Sequence, residues 1–261
     1  MKIFAITNQK GGVGKTTTSV NLAAGLARLG QRVLLIDLDP QANATMGSGV
    51  DKRGLTRTVY HLLLGMSAFA EVRATTSSGF DLLPSNRELA GAEIEMVDLD
   101  QRDFRLRHAL EGVKQDYDFA LIDCPPALNL LTVNALAAAS AVMIPMQCEY
   151  YALEGLSDLV ATIRKVRQSL NPVLEIEGLL RTMFDPRNTL ANQVSDQLVQ
   201  HFGRKVYDTI IPRNVRLAEA PSYGMPALTF DRSAKGAQAY ETLAQEVLKR
   251  SGVNKTQSEP A

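Results

Sequence analysis

Seven short apolar runs punctuate this chain of 261 residues, and they are continuously apolar rather than alternating with polar residues. They are KIFAIT (2–7), RVLLIDLD (32–39), FDLLPS (80–85), FALIDCP (119–125), AVMIPMQ (141–147), IEGLLRTMF (176–184) and VYDTIIP (206–212). A strand with one wet face alternates, whereas an unbroken apolar run is expected where helices cover both faces of a parallel sheet. Longer runs with helical character lie between them, at 16–30, 152–170, 191–203 and 233–250. This order of strand and helix predicts an α/β fold, a doubly wound and mostly parallel sheet flanked by helices. No repeat or linker interrupts it, so residues 1–250 are expected to form one domain. The polar end SGVNKTQSEPA (251–261) is expected to be disordered. Residues 40–115 are the hardest to assign, because turns, helices and the acidic stretch EIEMVDLD (93–100) overlap there.

The first strand runs into TNQKGGVGKTT (7–17). A phosphate-cradling loop reads G-x-x-x-x-G-K-[ST], and Gly14, Lys15 and Thr16 supply its second half. Its first glycine should fall at residue 9, which is Gln9, and beside it stands a second lysine, Lys10. The dinucleotide pattern G-x-G-x-x-G also fails, since alignment from Gly12 would need glycine where Thr17 stands. Strand, glycine loop and helix in succession nevertheless make an anion site, because backbone N–H groups and the helix N-terminus converge there. Gly11, Gly12 and Gly14 let the backbone come close to a ligand. Lys15 would reach the β- and γ-phosphates, and the Thr16 hydroxyl would ligate Mg²⁺.

Two acidic strand ends accompany the loop. FALIDCPP carries Asp123 at the end of an apolar run, where a carboxylate can hold Mg²⁺ through water; capping of a turn is the plainer alternative. RVLLIDLDPQ ends in Asp37 and Asp39, two residues apart and therefore on one face of a strand. Both could reach a phosphate site at the carboxyl edge of the sheet, although turn chemistry at Asp39-Pro40 would also account for them.

Charge sets few limits. Lys plus Arg and Asp plus Glu both total 28, so net charge points to no polyanion, and any nucleic-acid surface must be a local basic patch. Two cysteines, Cys124 and Cys148, make no disulfide framework. The start MKIFAIT lacks a signal-peptide pattern, and no apolar run is long enough to span a bilayer. A cytoplasmic protein without a membrane partner is expected.

KGGVGKTT, LLIDLDPQANAT, ALIDCPP and IPRNVRLAEAPSYGMP resemble the motifs of the ParA/Soj family of chromosome- and plasmid-partitioning ATPases. That family lies in the deviant Walker A group of P-loop NTPases, with MinD, and the resemblance runs over residues 1–250. It implies a slow ATPase using ATP/ADP and Mg²⁺, held by the loop Lys10, Gly11, Gly12, Val13, Gly14, Lys15, Thr16 and Thr17. Lys10 matches the signature lysine, which reaches the partner's nucleotide in an ATP-sandwich homodimer. Asp39 matches the residue that orients or activates the attacking water, and Asp37 belongs to the same acidic switch segment, expected near the metal through water. Asp123 matches the Walker B carboxylate, and Pro212 and Asn214 match positions lining the adenine. Non-specific DNA binding by the dimer would use basic residues of the C-terminal half, best matched by Arg187 and Arg216. A ParB-type (Spo0J-like) centromere-binding protein would stimulate hydrolysis, and the protein would be nucleoid-associated.

Three other readings compete. A MinD-like membrane ATPase needs a C-terminal amphipathic helix, and LKRSGVNKTQSEPA has almost no apolar face after Leu248. A nitrogenase-reductase-like protein would use Cys124 and Cys148 for a shared cluster, yet Cys124 reads as a small buried residue. A ParA-like ATPase could also position another cargo.

Overall fold

A computed structural model of the chain describes residues 1–150 and 152–252. Its strands are β1 (Lys2–Ile6), β2 (Val33–Asp37), β3 (Ala74–Thr75), β4 (Asp81–Leu83), β5 (Phe119–Asp123), β6 (Ala141–Met146), β7 (Glu175–Phe184) and β8 (Val206–Pro212). They form an eight-stranded sheet in the order β3-β4-β2-β5-β1-β6-β7-β8. Every pairing is parallel except that of the two-residue edge strand β3 with β4. The seven expected runs are the seven parallel strands, mostly shorter than their apolar sequence, because the last residues of several runs turn into the loops that carry the site. The edge strand β3 was not foreseen, since two residues carry no pattern.

The helices are α1 (Lys15–Arg28), α2 (Asn43–Gly47), α3 (Val59–Leu63), α4 (Phe69–Val72), α5 (Leu89–Glu95) and α6 (Arg105–Glu111). They continue with α7 (Leu130–Ala138), α8 (Ala152–Ser169), α9 (Thr189–Phe202), α10 (Val215–Glu219), α11 (Ala227–Phe230) and α12 (Lys235–Ser251). Residues 40–115 hold five of these, four to seven residues each, too short for helical periodicity to show. The last helix goes beyond the expected boundary: Ser251 is helical and buried, and Gly252 ends it with φ of 62°. The rest of the expected tail, from residue 253, lies outside the described residues.

Alternate residues of each strand enter two cores, one on each face of the sheet. Ile3, Ala5, Leu34, Ile36, Ala120 and Ile122 join one, while Phe4, Ile6, Val33, Leu35, Phe119 and Leu121 join the other. This is why the runs had to be apolar throughout. On the second face α1 and α12 pack closely at Gly25, where an added Cβ would come within 2.8 Å of the Ala244 side chain.

The chain leaves β1 toward β2 on one side and later returns to fill β5 and β6 on either flank of β1. The crevice over the carboxyl end of β1 is therefore a topological switch point, the place where open α/β sheets take ligands.

Candidate functional site

The loop after β1 occupies that crevice. Gly12 and Gly14 have φ of 74° and 88°, and Gly14 caps the N-terminus of α1 without a side-chain cap. Those φ values belong to the left-handed region, where glycine is at home and other residues are strained. A Cβ built on Gly11 or Gly12 meets nothing within 4 Å, so the outer wall of the loop is open. No acid stands in the first turn of α1, and its first residue is Lys15. A cation at the positive end of a helix is unfavourable alone and calls for an anion. Burial lowers the Lys15 pKa, opposed by the neighbouring Asp123, and its Nζ donates to the Lys10 carbonyl at 3.2 Å.

Asp123 ends β5 directly beside Ile6 of β1 and Asp37 of β2 in the strand register. Its Oδ2 accepts the Thr16 hydroxyl at 2.8 Å and its Oδ1 the Ser19 hydroxyl at 2.8 Å. Thr16 and Ser19 lie three residues apart on α1 and so present one face to the carboxylate. Burial pushes the Asp123 carboxyl upward, the Asp37 carboxylate adds to the rise, and the two hydroxyls oppose it. Carboxylate oxygens beside a hydroxyl are an all-oxygen donor set that fits a hard divalent cation.

Asp37 stands beside Asp123 in the strand register. It is fully buried, and its carboxylate accepts the Thr45 N–H at 2.8 Å, the Thr45 hydroxyl at 2.7 Å and the Asp39 N–H at 3.1 Å. Hydrogen bonds to an ionised group contribute roughly 1.5–3 kcal/mol each, so Asp37 fixes the segment that follows β2. Thr45 in turn accepts the Ser85 N–H at 2.9 Å, and the Ser85 hydroxyl donates to the Asp39 carbonyl at 3.0 Å. Asp39 keeps only a turn contact at its side chain, from the Gln41 N–H at 2.8 Å.

Gly11, Gly12, Gly14, Lys15, Thr16, Thr17 and Asp39 come together around a cleft of about 280 Å³, with Asn43, Pro126 and Met183 completing the wall. A second cleft of about 330 Å³ opens beside it, lined by Pro212 and Asn214 among mainly apolar neighbours. Gly14, Thr17 and Met183 border both, so the two clefts meet along one edge. Val13 is buried behind the loop. Lys10 stands at the exposed rim, its ammonium paired with Glu149.

The two arginines expected on DNA follow the adjacent strands β7 and β8, at the same edge of the sheet. Both are already in ion pairs. Arg187 meets Asp185 at 2.7 Å, and Arg216 meets Glu219 at 2.7 Å and Asp231 at 3.4 Å. Cys124 is buried with its thiol donating to the Ile122 carbonyl, and burial pushes both its pKa and that of Cys148 upward. Among the described residues no helix is long and apolar enough to cross a membrane.

Sequence reading missed Ser19, Thr45, Ser85, Thr182 and Met183. Ser19 had a usable signal, its three-residue spacing from Thr16. Thr45 follows Asp37 by eight residues on a helix too short to show periodicity, and Ser85, Thr182 and Met183 reach the site from elements remote in the chain.

Residues 1–176 match the model of an AAA domain family, AAA_31. The chain is 55% identical over 247 residues to the sporulation initiation inhibitor protein Soj of Bacillus subtilis, covering 94% of this chain and 98% of that one. It is 51% identical over 253 residues to the chromosome partitioning protein ParA of Caulobacter vibrioides, covering 96% and 95%. A solved structure described as cobyrinic acid a,c-diamide synthase from Mycobacterium smegmatis, with bound ATP analog and magnesium, superposes with a TM-score of 0.87. It is 37% identical and covers 97% of this chain and 96% of that one.

Proposed function

The chain belongs to the ParA/Soj family of chromosome-partitioning ATPases, and from that premise we propose that it is an ATP-driven switch that dimerises, binds DNA and moves chromosomal cargo. We read the described residues up to 250 as one ATPase domain. The observation that carries the proposal is the convergence of Lys15 and Thr16, at the glycine loop, with Asp123 at the end of β5, and with Lys10 left at the exposed rim.

The loop N–H groups and Lys15 hold the phosphates of ATP, and the apolar cleft at Pro212 and Asn214 takes the base. The Thr16 hydroxyl and, through water, the Asp123 carboxylate would hold Mg²⁺. When bound, Mg²⁺ supplies charge neutralisation across the phosphate oxygens. Asp37 acts as a brace for the switch segment, and Asp39 orients the water that attacks the γ-phosphate. Phosphoryl transfer rests on positioning and charge stabilisation, and here Lys10 serves the nucleotide of a second subunit. A monomer therefore binds ATP but hydrolyses it poorly, and turnover is slow until a ParB-type partner stimulates it.

Dimerisation doubles the number of basic contacts to DNA, which strengthens binding and steepens its salt dependence. Hydrolysis removes the group that both subunits share and releases the DNA. Such a cycle places the protein on the nucleoid.

DNA binding measured with ADP, with ATP and with a slowly hydrolysed analogue, each at two salt concentrations, tests this reading. Binding is expected with ATP and the analogue only, lost at higher salt and longest-lived with the analogue. Equal binding with ADP and ATP would remove the switch from the proposal.

A further inference from the structure

Thr182 lies 169 residues from the phosphate loop, yet its hydroxyl donates to the Val13 carbonyl at 2.7 Å. Val13 and Thr182 are 1% and 2% exposed, so the bond is shielded from bulk solvent. The Val13 carbonyl and the Gly14 N–H belong to one peptide unit. In a planar trans peptide the two point in opposite directions. Fixing the carbonyl toward β7 therefore fixes the Gly14 N–H away from β7.

The rest of the contact supports a built brace. A Cβ added at Gly14 would meet Thr182 Cβ and Cγ2 and Met183 Cε at 3.8 Å, so the end of β7 stands beside the loop with room for little more than a methyl between them. Threonine on a strand is stiff at χ1, so the hydroxyl holds its direction toward the Val13 carbonyl. Next to it, Met183 has φ of 49°, a conformation costly for a long side chain, and its sulfur lies against the Gln147 side-chain amide. The end of β7 is thus held by its pairing with β6 and tied to the loop through Thr182, and Met183 borders both the phosphate cleft and the base cleft.

We infer that Thr182 is a positioning residue for nucleotide binding: through the Val13 carbonyl it aims the Gly14 N–H at the phosphates of a nucleoside di- or triphosphate. This rests on the nucleotide-binding reading given above. Without the hydroxyl, the Val13–Gly14 peptide is free to rotate, and ligand binding must restore it while leaving a buried acceptor unpaired.

The test compares Thr182→Val, which keeps the shape and loses the hydroxyl, with Thr182→Ser, which keeps the hydroxyl. Calorimetry with Mg-ADP is expected to show roughly 5- to 100-fold weaker binding for the valine variant and near-normal binding for the serine variant. Hydrogen exchange at the Gly14 amide without nucleotide should speed up in the valine variant alone. Thermal unfolding controls for folding, and if valine prevents folding, Thr182→Ala takes its place. A folded valine or alanine variant with unchanged ADP affinity would overturn the inference, as would equal weakening by serine. Failure of the unaltered protein to bind Mg-ADP would instead overturn the nucleotide reading itself.

Discussion

Lys10, in the loop after β1, is ion-paired with Glu149, which follows the end of β6. The pair folds the loop lysine onto its own subunit, whereas the proposed ATP dimer needs that ammonium on the partner's nucleotide. Glu149 therefore competes with dimerisation. Both side chains are about half exposed, at 46% and 51%, and an exposed pair contributes only about 0.2–1 kcal/mol. Glu149→Gln is expected to shift the ATP-dependent monomer–dimer equilibrium toward dimer by up to about fivefold per subunit. Sedimentation with the slowly hydrolysed analogue measures it, and a dimer fraction that falls would contradict the competition.

Asp39→Ala separates binding from turnover. The switch backbone survives the substitution, because Ser85 donates to the Asp39 carbonyl and Asp37 accepts the Asp39 N–H. The lost carboxylate is the proposed water-orienting group, so hydrolysis should fall roughly 100-fold or more. Phosphate binding should persist, giving an ATP-bound dimer that stays on DNA. Size-exclusion chromatography with ATP and Mg²⁺ that finds only monomer would assign Asp39 another task.

What the sequence made legible was set by local rules. Continuous apolar runs imply strands covered twice, and glycines followed by Lys15 and Thr16 imply a phosphate nest, because both patterns are complete within a few residues. Asp37 shows the limit of that kind of reading. Its spacing from Asp39 put it on the correct strand end, but the group that engages its carboxylate is Thr45, on a five-residue helix with no periodicity to reveal it. Thr182 is further out of reach: only the order of strands brings β7 against the loop, and no local pattern distinguishes this threonine from any other on a strand. Arg187 and Arg216 follow strand ends that the sequence shows, while their carboxylate partners Asp185, Glu219 and Asp231 depend on side-chain directions that spacing does not fix.

Asp185 holds Arg187, one of the two arginines proposed to meet DNA. Hydrogen bonds from Arg187 hold its carboxyl down at about 2. A carboxyl lowered in this way keeps its pairing above the ordinary carboxylate range and loses it only as pH falls through about 2. No physiological change of pH releases Arg187. Asp185→Asn should do so, leaving an arginine side chain already 88% exposed free to meet a phosphate. DNA binding by the ATP dimer is expected to strengthen several-fold at low salt, and Arg187→Ala in the same background should abolish the gain. Unchanged affinity in Asp185→Asn would remove Arg187 from the DNA surface.

Arg216 poses the sharper question, because it sits two residues from Asn214 in the base cleft. The contact between them uses the Arg216 backbone N–H, which donates to Asn214 Oδ1 at 3.0 Å. Arg216→Ala keeps that N–H, so the cap on α10 and the base cleft should survive. What is lost is a guanidinium shared between Glu219 and Asp231. On DNA a phosphate would have to draw it from those carboxylates, and each phosphate contact adds roughly 0.9 to the slope of log K against log salt. With one copy per subunit, Arg216→Ala in the dimer should flatten that slope by roughly two units and weaken binding to all DNA sequences alike. ATP-dependent dimerisation, measured on the same sample, should be unchanged. Loss of dimerisation together with DNA binding would place Arg216 in the support of the nucleotide cleft and take it off the DNA surface.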